Sequence, residues 1–279
     1  MTRSRHMLGH IYMAAFLFYL FVPLVIMGGA AFNDNRLPSI YPWKGFTWHW
    51  FQELFADRTM WIAFVNTIWV ALAVVAIAVP LGTAGAILVN SIGGRVRGLL
   101  YGMMVAPILM PGVVIGISTL LFWNSLGRAT GSDFILFNPG LHLSVLGQVS
   151  FIASFVMLLV LARLQSFDPG LEEAAMDLGA SNTQVLRRIL LPHLYPAIGA
   201  GAAIAFFQSI ENFNTTLFTR GTQNTLTVYV FSKVRSGITP TINALALIMI
   251  LATLLAALIY ELRRRRRARI LAELERTNG

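Results

Sequence analysis

The side chains best suited to chemistry in this 279-residue chain lie in one polar stretch inside an otherwise apolar segment. Glu211 is the one carboxylate that we place within a hydrophobic segment. A charge at the centre of a membrane helix costs about 2.5–3.5 kcal/mol on insertion scales, so it should face a cavity or a partner. Gln208, Glu211 and Thr215 are spaced i, i+3 and i+7, which predicts one polar stripe on a helix, flanked by Asn212 and Asn214.

Two interpretations of this stripe remain open. In the first, Glu211 lines a transport pathway that favours a cation. In the second, Glu211 pairs with a basic residue or caps backbone groups in a partner subunit. Metal chemistry and an intramembrane enzyme are not indicated, because the sequence has no cysteine, its five histidines are scattered, and it contains no H-E-x-x-H motif.

A second polar segment, residues 168–192, lies between hydrophobic blocks and has the pattern of two short helices. Asp168 suits an N-cap, and Pro169 suits the first helical position. Glu172 and Glu173 would then lie near the positive end of the helix dipole. Four small or apolar residues share one face of this helix at helical spacing: Leu171, Ala174, Ala175 and Leu178.

The same segment contains signals for a turn and a second helix. Gly179 suits the left-handed residue that ends a helix. Ser181 and Gln184 have capping-box spacing, so a second helix should start there, and Pro192 should mark its end or a bend. Its apolar face would consist of Val185, Leu186, Ile189 and Leu190. The pattern predicts a small helix–turn–helix with an exposed, partly apolar face, which is either a docking element or an amphipathic loop on the membrane.

The composition points to lipid as the solvent around these elements. The chain is 56% apolar and 12% charged, whereas soluble domains carry about 25% charged residues. Windows of about 20 apolar residues predict six spans: 11–32, 62–89, 99–123, 144–162, 196–219 and 242–260. The first is interpreted as an uncleaved span, because its apolar run exceeds that of a signal peptide. Pro107, Pro111 and Gly112 predict a break in the third, either along a pathway or as a packing kink.

Charge predicts the orientation of these spans. Of the 21 Lys and Arg residues, fourteen lie at the N-terminus, in the second and fourth loops and in the tail, against seven in the other loops. The positive-inside rule therefore predicts cytoplasmic termini and a cytoplasmic segment 163–195, although three cations in the fifth loop count against it. The arginines from Arg263 to Arg267 in the basic tail, residues 261–279, indicate contact with anionic lipid. No nucleic-acid footprint is present.

Two connecting segments carry weaker signals. The aromatic residues of the first external loop, residues 33–61, favour an interfacial helix at the headgroup level over a substrate cage. Residues 225–230, near the start of another polar loop, have a β-like alternation.

The segment 168–192 resembles the EAA loop of ABC importer permeases, whose pattern is E-A-A, three residues, G, nine residues, I, one residue, L-P. Glu173-Ala174-Ala175, Gly179, Ile189 and Leu191-Pro192 match it in full. Within that superfamily the chain most resembles the second permease of spermidine/putrescine-type importers. This closer likeness rests on Gly45-Phe46-Thr47 with Trp50, Glu173 to Ser181, Lys233-Val234-Arg235, Gly237-Ile238-Thr239-Pro240 and Asn243-Ala244.

The resemblance implies an all-α membrane protein with the type I ABC importer permease architecture. This means six transmembrane helices and a cytoplasmic coupling helix–turn–helix, in a single domain of residues 1–279. It also implies a pseudo-symmetric pair with a second permease, two ATPase subunits and a periplasmic substrate-binding protein. ATP and Mg would be bound by the ATPase and no cofactor by this chain, whose sequence has no G-x-x-x-x-G-K-[ST] loop. The expected ATPase-coupling residues are Glu172, Glu173, Ala174, Ala175, Asp177, Gly179, Ala180, Ile189, Leu191 and Pro192.

The substrate expected from the resemblance is a polyamine or related organic cation, with Gln208, Glu211, Asn212 and Thr215 along its path. One departure bears on that expectation. Polyamine permeases of this type resemble each other in having paired acids on the fifth span, and this chain has Glu211-Asn212. A monoamine or an amino-acid-like solute is the alternative cargo. A stand-alone secondary transporter or channel is the alternative class, but the sequence has no convincing internal repeat to support it.

Overall fold

The computed structural model of the chain describes residues 2–132, 134–237 and 239–278, with side chains described for 9–132, 134–237 and 239–266. Some residues used above to count charges and to establish the family resemblance are not among these described residues and side chains. The residues concerned are Ile238 and the side chains of Arg3, Arg5, Arg267, Arg269 and Arg276.

Helices account for the regular structure of the described residues, in which strands are absent and one isolated bridge joins Asn33 to Phe46. The helices are α1 (Thr2–Ala30), α2 (His49–Ala56), α3 (Arg58–Ser91), α4 (Gly94–Leu109), α5 (Gly112–Thr130), α6 (Leu141–Leu164), α7 (Gly170–Asp177), α8 (Asn182–Val185), α9 (Leu191–Glu211), α10 (Asn214–Thr219), α11 (Leu226–Ser236) and α12 (Thr241–Asn278). A 3₁₀ turn at Ile135–Phe137 precedes α6, and a π-helical turn at Leu186–Leu190 joins α8 to α9.

Five helical segments are long and apolar enough to cross a membrane: 9–30, 58–91, 141–164, 182–211 and 241–266. The helices α4 and α5 pass the same test together and meet at an angle of 105°, which gives a sixth, broken span. The break lies at Met110 and Pro111, where the prolines and glycine of the sequence predicted it.

The fifth span differs from the prediction at both ends. It begins at Asn182 and ends at Glu211, whereas 196–219 was predicted. Pro192 and Pro196 do not end the helix, because the π-helical turn before Pro192 lets the chain continue into α9. The span ends early because Asn212 leaves the helical conformation and its side chain accepts hydrogen bonds from Thr216.

The β-like residues 225–230 are helical from Leu226 onward, so that interpretation is wrong. The Thr67 side-chain oxygen accepts a hydrogen bond from the Leu226 backbone nitrogen at 2.7 Å. Leu226, Val228 and Tyr229 are buried. Tertiary contact of this kind overrides a local β preference.

Contacts divide the chain into two compact units, and the single-domain assignment stays a prediction. The larger unit, residues 59–229, has one continuous apolar core built mainly from α3, α6 and α9. Its most deeply buried large side chains include Val74, Ile152, Val156, Met157 and Leu194. This core fixes the helices on which the polar residues described below lie.

The second unit comprises residues 1–58 and 230–279. In it α12 packs against α1 and α2. The loop before α2 is closed by Asn33, whose side chain donates to the carbonyl oxygens of Ser39 and Pro42 and accepts from the Lys44 nitrogen. An aromatic cluster lies beside it: Phe32, Phe46, Trp48 and Phe51. The helix predicted in this loop is α2, and its place at a membrane interface stays a prediction.

Candidate functional site

Two broken helices meet in the larger unit. The break between α4 and α5 faces the break between α9 and α10, and α10 packs against α5. Gly116 permits this approach, because a Cβ at that position would lie 2.8 Å from the Thr215 carbonyl oxygen. The Thr215 hydroxyl donates to the Gly112 carbonyl oxygen at 3.2 Å. The two breaks therefore support each other.

A buried polar network holds α10 against α6. The Gln148 side chain is completely buried; its amide nitrogen donates to the Thr216 hydroxyl at 2.8 Å and its oxygen accepts from the Ser209 hydroxyl at 2.6 Å. The Ser144 and Thr219 hydroxyls lie 2.9 Å apart nearby. Buried polar groups that are all satisfied in this way rigidify a core. Sequence reasoning missed Gln148, although an amide within the apolar window 144–162 was a usable signal.

A cavity of about 420 Å³ opens between the two breaks. Gln208, Glu211 and Asn212 line it, as expected from the sequence. Its other lining residues are Pro107, Ile108, Met110, Gly112, Ile115, Phe151, Phe155, Phe213 and Asn214. Because broken membrane helices persist where protein or a water-filled cavity satisfies their backbone, this geometry favours the pathway interpretation over a packing kink.

Thr215 does not belong to the cavity. The predicted polar stripe at i, i+3 and i+7 is wrong because the helix ends at Glu211 and a new helix begins only at Asn214. Thr215 is fully buried, and its hydroxyl is engaged by Gly112. Its role is to join the two breaks rather than to face a solute.

The electrostatics of the cavity centre on Glu211. This residue is exposed to the cavity and has no hydrogen-bond or ion-pair partner among the described side chains. It is also the last residue of α9, where free carbonyl groups form the negative end of the helix dipole. The carboxylate and these carbonyl groups both make the electrostatic potential in the cavity more negative, so the site can attract a cation.

The second candidate site is the hairpin formed by α7 and α8, residues 168–192. The helix α7 begins at Gly170 with Pro169 as its N-cap, so the prediction of Asp168 as N-cap and Pro169 as first helical residue is wrong by one position. The Asp168 carboxylate instead accepts a hydrogen bond from the Gly170 nitrogen at 2.9 Å, just before the helix. Gly179 has a left-handed φ of 85°. Around it, Ala180 donates to the Ala175 carbonyl and Gly179 to the Met176 carbonyl, which is a Schellman motif.

The second half of the hairpin begins with the predicted capping box. The Ser181 hydroxyl accepts from the Gln184 nitrogen, and the Gln184 side chain accepts from the Ser181 nitrogen. Val185 and Leu190 are buried, and Leu190 belongs to the core of the larger unit. The hairpin is therefore tied through the π-helical turn to α9, the helix that carries Glu211.

The outer face of the hairpin is uncovered and partly apolar. Leu178 is 89% exposed, and Leu171 and Met176 are also exposed. A groove of about 390 Å³ runs along this face, lined by Ala175, Leu178, Gly179, Ala180, Gln184, Val185, Arg188 and Ile189. Of the predicted coupling residues, Ala175, Gly179, Ala180 and Ile189 line it.

The remaining predicted coupling residues lie elsewhere. Glu172, Glu173, Ala174 and Asp177 lie on α7 outside the groove. Leu191 and Pro192 are the first residues of α9, so the structure places them in the long fifth helix rather than on the hairpin face. These two support the junction instead of forming part of the groove.

The chain belongs to the family described as the binding-protein-dependent transport system inner membrane component, whose model matches residues 78–269. It is thus a multi-span, non-catalytic permease subunit of an inner-membrane ABC importer, and the expected all-helical type I permease fold is confirmed.

The chain is also similar to individual permeases whose cargo is named. The chain is 31% identical over 260 residues to the spermidine/putrescine transport system permease protein PotC of Haemophilus influenzae, covering 93% of this chain and 97% of that protein. It is 34% identical over 235 residues to the putrescine transport system permease protein PotI of Escherichia coli K12, covering 83% and 82%. A solved bacterial ABC transporter involved in importing the acidic polysaccharide alginate has the same fold, with a TM-score of 0.76, 19% identity and coverage of 95% and 96%.

Proposed function

We propose that this permease imports an organic amine of the polyamine class, and that the amine passes Glu211. The observation that carries the proposal is the Glu211 carboxylate in the cavity between two broken helices, where it has no partner among the described side chains. The names of the similar permeases, which include putrescine and spermidine, support the same class of cargo.

The cavity suits an ammonium group for three reasons. Glu211 supplies a negative charge at the negative end of α9. Phe151, Phe155 and Phe213 contribute aromatic rings, and a ring face attracts a cation. Gln208 lines the same space with an amide oxygen that can accept an N–H donor.

An amino-acid-like solute is the second candidate cargo. The cavity holds one acid, Glu211, beside the amides of Gln208, Asn212 and Asn214. Amides can both donate and accept, so they can bind a carboxylate as well as an ammonium group. A cargo with a single ammonium group at this place fits one acid better than a closely spaced diamine does.

The partners follow from the hairpin and from the family. The groove that contains Ala175, Gly179 and Ile189 receives a surface of the ATPase dimer, which binds ATP and Mg. A second homologous permease completes the path, and a periplasmic binding protein delivers the cargo. Both termini and the hairpin lie in the cytoplasm, because the excess of arginine lies on their side.

The test of the cargo is uptake of labelled putrescine by the assembled transporter in proteoliposomes loaded with ATP. Glu211→Gln should lower uptake about tenfold, since a hydrogen bond to a charged group contributes about 1.5–3 kcal/mol. Glu211→Asp, which keeps the charge, should retain most of the activity. Glu53→Gln, at an exposed position of α2, is the control for loss of a carboxylate.

Competition by unlabelled solutes separates the two cargoes. Inhibition by diamines and not by amino acids supports the polyamine class, and the reverse pattern supports the second candidate. If Glu211→Gln transports every amine as well as the wild type does, Glu211 has a structural role and the proposed path is wrong.

A further inference from the structure

The middle of α12, residues 251–260, is not covered by any of the residues whose side chains the structure describes. Every residue from 251 to 260 is exposed, although the segment is almost wholly apolar. The packing of α12 against its own unit involves its first turns, where Ala244 and Leu245 are buried. A helix that is apolar on all sides and uncovered is matched to lipid acyl chains.

This apolar segment runs directly into four exposed arginines without a break in the helix. Tyr260, an aromatic residue suited to the membrane interface, is 70% exposed. At a rise of about 1.5 Å per residue, Arg263 and Arg266 lie about 4.5 and 9 Å beyond it along the helix. Since the headgroup layer on each side of a bilayer is about 5–8 Å thick, these side chains fall at the level of the lipid phosphates.

The four arginines are not equivalent. The Glu261 carboxylate accepts a hydrogen bond from the Arg265 Nε at 2.7 Å and lies 3.9 Å from an Arg264 guanidinium nitrogen. Arg263 and Arg266 have no such partner among the described side chains. At about 100° per residue they are about 60° apart, on the face opposite Glu261.

Apolar residues continue this second face toward the membrane. Ile259 lies one turn before Arg263, and Leu262 lies one turn before Arg266. Both side chains are exposed. One side of α12 therefore presents an apolar row that ends in two uncompensated guanidinium groups, which is the chemical complement of a phospholipid.

We propose that Arg263 and Arg266 bind the phosphate of an anionic phospholipid whose acyl chains lie along the exposed row of α12. Arginine suits this role because its planar guanidinium can donate two hydrogen bonds to a phosphate. The site requires only that the chain is embedded in a membrane, so it is independent of the cargo and of the orientation.

Native mass spectrometry of the assembled transporter tests this site. Phosphatidylglycerol and phosphatidylcholine with identical acyl chains are titrated in mixed micelles, and bound lipid per complex is measured. The wild type should prefer phosphatidylglycerol, and R263Q/R266Q should weaken that lipid about tenfold. R264Q/R265Q is the matched control: it removes the same charge from the face that Glu261 partly neutralises, and should change binding less than about threefold. Gln is a good helix former, so both variants keep α12.

Three outcomes would overturn the site. Equal losses in the two double variants would mean a diffuse attraction to net charge. No preference for phosphatidylglycerol in the wild type would mean that another subunit covers the row. Displacement of phosphatidylglycerol by excess glycerol 3-phosphate would assign the arginines to a free phosphate ion, whereas persistence of the bound lipid supports the proposal.

Discussion

Glu211 and Gln148 are two polar residues of apolar helices with opposite surroundings. Gln148 is fully buried and has both ends of its amide bonded, to Ser209 and Thr216. Glu211 faces a cavity and has no partner among the described side chains. The first arrangement stabilises the fold and leaves nothing for a ligand. The second leaves a charge available, and the proposed binding of a cation would offset the cost of placing this carboxylate in a membrane.

Replacing Gln148 tests whether the network holds the broken helix in place. Gln148→Met has a similar volume but leaves the Ser209 and Thr216 hydroxyls without their amide partner, at a cost of about 1–3 kcal/mol. We expect the Tm of the detergent-solubilised transporter to fall by several degrees. Ser150→Ala on the same helix is the control, because its hydroxyl donates only to the nearby Gly147 carbonyl. An unchanged Tm for Gln148→Met would contradict the role given to this network.

The hairpin and α9 form one continuous element. The capping box at Ser181 starts the helix, the π-helical turn carries it past Pro192, and it ends at Glu211 in the cavity. Because the chain is helical from Asn182 to Glu211, the coupling proposal predicts that movement of the hairpin is transmitted along a single helix. This continuity gives the coupling proposal a physical route.

Gly179→Asp tests the hairpin as a docking element. A Cβ added at Gly179 would meet no neighbouring atom, so no steric clash is expected. The energetic cost of the substitution is that of holding a non-glycine residue in the left-handed conformation, about 1–2 kcal/mol. The substitution places a charge and added volume in the groove. We expect ATP-driven uptake to fall at least about tenfold while the permease still folds, as judged by gel filtration. Gly131→Asp at the end of α5 has the same strain, with φ 59° and open space, and should leave uptake nearly unchanged. Equal uptake by the two variants would rule out docking at this groove.

Local and tertiary causes explain which elements the sequence could predict. The caps at Gly179 and Ser181 depend on bonds within a few residues, and both were predicted. The end of the fifth span at Asn212 was not predicted, because the Thr216 side chain that bonds Asn212 is also held by Gln148, 68 residues away. The helix at Leu226 likewise depends on Thr67, 159 residues away. A local pattern does not show either pairing, Thr216 with Gln148 or Leu226 with Thr67.

At the scale of the whole molecule, the distribution of charge predicts which elements lie on each side of the membrane. It predicts a cytoplasmic position for the hairpin, the loop after α3 and the arginines of α12, and the opposite side for the end of α5. Family and fold place the chain in the membrane without fixing this orientation. The orientation therefore rests on the arginine count, part of which comes from side chains beyond the described residues.

The absence of cysteine from the sequence makes the orientation directly measurable, because a single introduced cysteine gives no background. Ser91 is the last residue of α3, and Ala129 lies in the last turn of α5; both residues are exposed. Each is replaced by cysteine in a separate variant, Ser91→Cys and Ala129→Cys. In spheroplasts, a membrane-impermeant maleimide should label Ala129→Cys at once and Ser91→Cys only after the membrane is opened. The reverse pattern would place the hairpin outside the cell, where no ATPase could reach the groove beside Gly179, and would overturn the coupling proposal while leaving the lipid site on α12 intact.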